Sequence, residues 1–218
     1  MTTIREVKFT CPVDGETFED SVVTSTNQMG AHTDFKPVVG GLFPFPFYVH
    51  ACPKCGFAGF EEDFAGKYDE DFKKWVLSEL PGELQDAELY GGLKYLLAAR
   101  CAERLGRQQR VVADLYLHGA WCAQEEESLE LEKRCRKEAA ARFEGALQSD
   151  ELDAEERASV TYLVGELHRR LGNDSEAATW FDRVESEIID AKEQEWVARA
   201  AGMQKENPVE VFPEDFAQ

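Results

Sequence analysis

Cys52-Pro53-Lys54-Cys55-Gly56 places two thiols across a turn whose glycine can take a positive φ and aim backbone amides at sulfur. Upstream, Cys11-Pro12-Val13-Asp14-Gly15 repeats the Cys-Pro-x-x-Gly frame, with Asp14 where the second cysteine would stand. The surrounding sequence is strand-like: Val7–Thr10 and Thr17–Val22 alternate apolar and polar residues, and Phe47–Ala51 is aromatic and β-branched. Two such turns on short strands predict a small zinc-ribbon-like β domain over residues 1–65. Cys11, Asp14, Cys52 and Cys55 would be its Zn2+ ligands, because zinc accepts carboxylate as well as thiolate. His50 and His32 are rivals for the fourth place; on a strand, His50 and Cys52 would face the same side. A water in that place, or a metal-free dithiol, are further alternatives. Cys101, Cys122 and Cys135 fall on helical apolar stripes and read as buried structural thiols.

Beyond residue 75 the composition changes. Ten of the 14 Phe lie at or before Phe72, where Leu42 is the only Leu, whereas Gly82–Asn207 has no proline and is rich in Leu and Ala. Proline breaks helices and Leu and Ala favour them, so this half predicts at least five helices over residues 66–206. Asp86 is placed to cap the first, and Gly106 to end it. Asp153 with Glu156, and Asn173 with Glu176, read as capping-box starts of two later helices. Ala158–Glu187 has the layout of a tetratricopeptide-like helix pair, with Gly165 at the crossing and Leu171-Gly172-Asn173 as the turn. In that register Ser159, Tyr162, Glu166 and Arg169 would face a concave partner-binding groove, with no basic clamp for peptide carboxylates. His168 stands where an aromatic is usual and reads as packing. Asn207–Gln218 reads as a short, mobile acidic tail.

The formal net charge is −19, of which residues 1–60 carry −2. Such a surface repels phosphate backbones and anionic lipid, which argues against nucleic-acid and membrane roles. No apolar run reaches the roughly 18 residues of a membrane span, and Met1–Glu6 has no signal core, so a cytoplasmic location is expected. His32-Thr33-Asp34 does not fit the deaminase pattern, and no metalloprotease helix, nucleophile elbow or phosphate-binding glycine run is present.

Cys11–Gly15, Thr33-Asp34, Cys52–Ala58 and Tyr162–Asn173 together give the chain a resemblance to the bacterial domain-of-unknown-function family 2225. Many members of that family look as if they carry two full CxxC knuckles; here Asp14 departs from that pattern. The resemblance implies a cytoplasmic bacterial protein and brings no activity with it. The expectation is therefore an α+β protein, a zinc-ribbon-like β domain followed by an all-α tetratricopeptide-like domain. Its expected role is a non-enzymatic zinc-binding scaffold for a basic or mixed-charge protein or peptide. The alternatives are a zinc enzyme with an open coordination position and a thiol redox protein using Cys52 and Cys55.

Overall fold

The computed structural model describes residues 3–85, 88–213 and 216. Strands β1 (Thr3–Thr10) and β2 (Thr17–Ser25) form an antiparallel hairpin in which Phe9 faces Phe18. Strands β3 (Gln28–Ala31) and β4 (Pro37–Val39) pair next, followed by the antiparallel pair β5 (His50–Ala51) and β6 (Ala58–Gly59). The expected strand over residues 47–51 is thus cut to two residues. Phe45–Phe47 is a 3-10 turn, because Pro44 and Pro46 fix φ and remove two backbone donors.

Seven helices follow among the described residues: α1 (Glu70–Glu79), α2 (Gly91–Arg104), α3 (Gln109–Glu125), α4 (Leu129–Gln148), α5 (Ala154–Arg170), α6 (Asp174–Glu187) and α7 (Ala191–Glu206). Helix α1 was not anticipated; the Asp69 carboxylate caps it by accepting from Phe72 N–H at 2.7 Å. Asp86, the expected cap of α2, lies outside the described residues. The N-terminus of α2 is instead held from a distance, Gly92 N–H donating to the Glu126 carboxylate at 3.1 Å. Gly106 closes this helix at φ 67°. Asp153 and Asn173 do stand at the N-caps of α5 and α6, but neither side chain makes the expected capping bond. No helix among the described residues is long and apolar enough to cross a membrane.

The chain does not divide at residue 65. Met1–Asn27, Val39–Arg107 and Asp114–Cys135 form one compact unit, and Gln28–Val38, Gln108–Ala113 and Arg136–Gln218 the other. Up to Phe72, where Leu is scarce, the first unit packs on aromatic rings: Phe9 stacks on His50 at 4.3 Å, and Phe64 meets Phe9, Phe18 and Phe57 at 5.1–5.7 Å. In the second, α5 and α6 cross at Gly165, where an added Cβ would lie 2.7 Å from the Phe181 ring. Phe35, Trp196, Phe212 and Phe216 pack on the same core. Of the expected mobile tail, residues 214, 215, 217 and 218 lie outside the described residues, and the stretch at Val211 and Phe212 is built into this unit: Val211 bridges antiparallel to His32, and Phe212 N–H donates to the Ala31 carbonyl at 3.1 Å.

Candidate metal centre and a buried carboxylate hub

Each cysteine frame folds into the same turn. Cys11 N–H donates to the Glu16 carbonyl at 2.7 Å and Gly15 N–H to the Cys11 carbonyl at 3.0 Å. In the other frame Cys52 N–H donates to the Phe57 carbonyl at 2.8 Å and Gly56 N–H to the Cys52 carbonyl at 3.0 Å. Both closing glycines are left-handed, Gly15 at φ 75° and Gly56 at φ 79°, a region that costs residues with a Cβ. At Gly56 a Cβ would also strike Leu80 at 2.9 Å. The repeated frame in the sequence is thus a repeated hydrogen-bond pattern, one copy on the β1–β2 hairpin and one on β5–β6.

The two turns bring Cys11, Asp14, Cys52 and Cys55 together, with one ligand atom of each within 4.8 Å of all the others. Cys11 Sγ lies 3.6 Å from Cys55 Sγ, and Cys52 Sγ lies 3.7 Å from Asp14 Oδ1. None of the six cysteines, all of them among the described residues, is in a disulfide. A tetrahedral centre with metal–sulfur bonds near 2.3 Å sets its sulfurs about 3.8 Å apart, so these separations suit a shared ion. The three cysteines are buried and Asp14 is half-buried. The donor set therefore fits a divalent cation.

The electrostatics point the same way. Three thiols this close cannot all ionise unaided. Hydrogen bonds from Cys11 and Cys55 hold the Cys52 thiol far below its ordinary value. The bond to Cys52 pushes Cys11 up to about 12, and its two sulfur neighbours drive Cys55 up as well. A bound cation removes that conflict by favouring all three thiolates.

Neither histidine belongs to this set. His50 is buried and faces Asp20, Nδ1 to Oδ2 at 3.0 Å, an oxygen that also takes the Lys94 ammonium at 2.5 Å. Burial works to raise the Asp20 carboxyl, but His50 and Lys94 outweigh it and hold it low. His32 sits in the bridge with Val211, and burial lowers its imidazole. Cys101, Cys122 and Cys135 are buried in helices, as expected of structural thiols.

The four residues expected to line a groove are placed differently. Tyr162 is 0% exposed: its ring packs on Phe35, Phe181 and Phe212, and its hydroxyl donates to the Thr33 carbonyl at 3.0 Å. Glu166 is 0% exposed as well, while Ser159 and Arg169 are half-buried. The surface is not open at Tyr162 and Glu166, because residues 31–35 and 209–212 cover them. His168 does not pack as an aromatic would; its Nε2 meets Glu144 Oε1 at 2.9 Å.

Glu166 is the centre of a buried hub that the sequence did not reveal. Its carboxylate accepts from Thr33 Oγ1 at 2.7 Å, Arg170 Nε at 2.7 Å, Arg169 Nε at 2.8 Å and Gln204 Nε2 at 3.1 Å. Beside it, buried Asp34 meets Arg136 Nη1 at 3.0 Å and Arg170 Nε at 3.5 Å. Burial works to raise the Asp34 carboxyl, but Arg170 and Arg136 outweigh it and hold it low. Arg169 and Arg170 also grip the Glu210 carboxylate, at 2.8 and 2.7 Å, so a basic clamp does exist. The clue was Thr33-Asp34 beside Arg169-Arg170, four chemistry-bearing residues in two dipeptides.

A family model described as "Uncharacterized protein conserved in bacteria (DUF2225)" matches residues 4–206. The chain belongs to that family. The matched span holds both cysteine turns and every residue of the hub, and stops short of the segment that carries Glu210 and Phe212. No curated protein and no solved structure matches the chain.

Proposed function

We propose that Cys11, Asp14, Cys52 and Cys55 hold one structural zinc ion in a zinc-ribbon-like pair of turns. In this reading the protein is a non-enzymatic scaffold that carries a tetratricopeptide-like helical part and binds a protein or peptide. The observation that carries it is the spacing of four donors from two like-folded turns, 3.6 Å between Cys11 and Cys55 and 3.7 Å between Cys52 and Asp14. Four protein donors fill a tetrahedral shell, which supports a structural ion over a catalytic one with an open position. The same set supports metal over redox work, since Asp14 supplies a fourth donor atom that dithiol chemistry does not use.

The test is elemental analysis of protein purified without added metal, followed by cobalt substitution. One zinc per chain and a cobalt spectrum with three thiolates and tetrahedral intensity are expected. A four-thiolate spectrum would refute Asp14 as ligand. Absence of metal together with a reversible Cys52–Cys55 disulfide would replace the scaffold by a redox protein. The −19 net charge suggested a basic partner for the surface at large. The arginines beside Glu166 favour a different one.

A further inference from the structure

Val209–Phe212 lies across the hub as a bound peptide lies on a receptor. Gln204 reads Val209 on both sides, Oε1 accepting from its N–H at 2.8 Å and Nε2 donating to its carbonyl at 2.9 Å. The Glu210 carbonyl accepts from Thr33 N–H at 3.0 Å and from Arg170 Nη2 at 3.2 Å. The Glu210 side chain sits on Arg169 and Arg170, the Phe212 N–H pairs with Ala31, and the Phe212 ring joins Phe35 and Tyr162. Backbone pairing with charged and aromatic side-chain sockets is the logic of strand-addition recognition.

The receiving side has bonds of its own that do not involve the segment. Glu166 hydrogen-bonds the polar side chains that read it: Thr33, Arg169, Arg170 and Gln204. The segment itself fits loosely. Glu210 and Val211 are exposed, Phe212 is half-buried, and a cavity of about 830 Å³ remains among Phe35, Trp196, Phe212 and Phe216.

We propose that Ala31–Phe35, Arg169, Arg170 and Gln204 form a peptide-docking surface that Val209–Phe212 occupies in cis, and that an extended acidic–aromatic segment of another protein takes in its place. The incoming segment presents a carboxylate to the two arginines and an aromatic ring to the Phe35 socket one residue beyond the next. This rests on the scaffold reading and names the partner class as acidic, against the sign of the net charge. Local guanidinium groups decide the contact, because screening confines charge effects to about 10 Å.

The experiment uses the full chain and a fluorescein-labelled peptide with the sequence of Asn207–Phe216. A tethered segment competes at millimolar effective concentration, so the native chain should bind the peptide weakly. The chain carrying Glu210→Lys and Phe212→Ser should bind it at least ten times more tightly. Adding Arg169→Ala to that chain should abolish the gain. Native circular dichroism and unchanged metal content must accompany each variant. Independently, excess peptide on the unaltered chain should speed hydrogen exchange at the Phe212 amide and leave the Thr33 amide protected. Equal peptide affinity of native and double-variant chains, or unchanged exchange at Phe212 under millimolar peptide, would overturn the proposal. A concentration-dependent dimer in sedimentation would make the occupant a second copy and overturn the partner assigned here. Failure of the peptide arm with zinc still bound would leave the metal reading standing.

Discussion

Two clusters of buried acids sit in this molecule, and they balance their charge in opposite ways. Cys11, Asp14, Cys52 and Cys55 gather four groups that ionise to anions, and the cation that feels them, Lys54, is an exposed side chain paired with Glu16 at 3.3 Å. Asp34 and Glu166 also gather buried carboxylates, but Arg136, Arg169 and Arg170 stand on them at 2.7–3.5 Å. The first cluster therefore calls for an external cation, and the second carries its own. Buried charge costs several kcal/mol unless it is compensated, so the source of compensation determines what each region depends on. One should answer to metal, the other to acid and to loss of an arginine.

The largest effect expected is on the metal side. On the zinc reading, Cys52→Ser should lose the ion and loosen the two hairpins, because metal binding would be folding energy for residues 3–65, where aliphatic residues are few. The loss should be on the order of several kcal/mol, read by limited proteolysis within residues 3–65. Intact α5–α7 exchange protection beside it would sharpen the contrast; unchanged proteolysis would break it. Next comes Arg136→Ala. It strands the Asp34 carboxylate, and denaturant titration should show a loss of about 3–5 kcal/mol with metal content unchanged.

Crowding at the helix crossing is smaller. Gly165→Ala drives a Cβ into the Phe181 ring and should cost about 1–3 kcal/mol in the same titration. Acid then tests the second cluster. The folded Asp34 carboxyl is held below its ordinary value near 3.9, so its contribution is complete above that pH and fades as pH falls through the lower folded value. Arg136→Ala should weaken that dependence while Arg170 keeps part of it, and a pH profile of stability that it leaves unaltered would count against the network. Smallest in folding terms, Asp14→Ala should weaken zinc at least ~10-fold in competition with a chelator, while Asp14→Cys should hold or tighten it. Equal affinity of Asp14→Ala and the native chain would exclude Asp14 as a ligand.

The sequence made the first cluster legible because its signal is local. A Cys-Pro-x-x-Gly frame fixes a turn within five residues, and two copies of the frame announce a partnership. Helices were readable for a like reason: Leu and Ala periodicity and the Gly106 and Gly172 stops are near-neighbour features. The hub was hidden because it joins Thr33 to Glu166 across 133 positions, and no spacing rule spans that. On the face of a helix Glu166 and Arg169 look like solvated charge, and only the covering strand turns them inward. The same long reach explains the misplaced domain boundary: residues 28–38 follow Asp34 and Phe35 into the helical unit. Phe212 was lost in an acidic tail for want of any neighbouring pattern. Helix α1 could have been found, since Asp69 three residues before Phe72 is a legible cap.

Asp14 carries a consequence of a different kind. It is the one half-exposed donor in a set of otherwise buried sulfurs. Exchange of an ion in such a cage begins at the ligand that solvent can reach and that holds least covalently, and both conditions single out this carboxylate. On the zinc reading, aspartate in the place of a cysteine would set how quickly the ion can leave, as a property separate from how tightly it rests. On the zinc reading, a chain with oxygen at that corner would fill and empty faster than a four-thiolate cage.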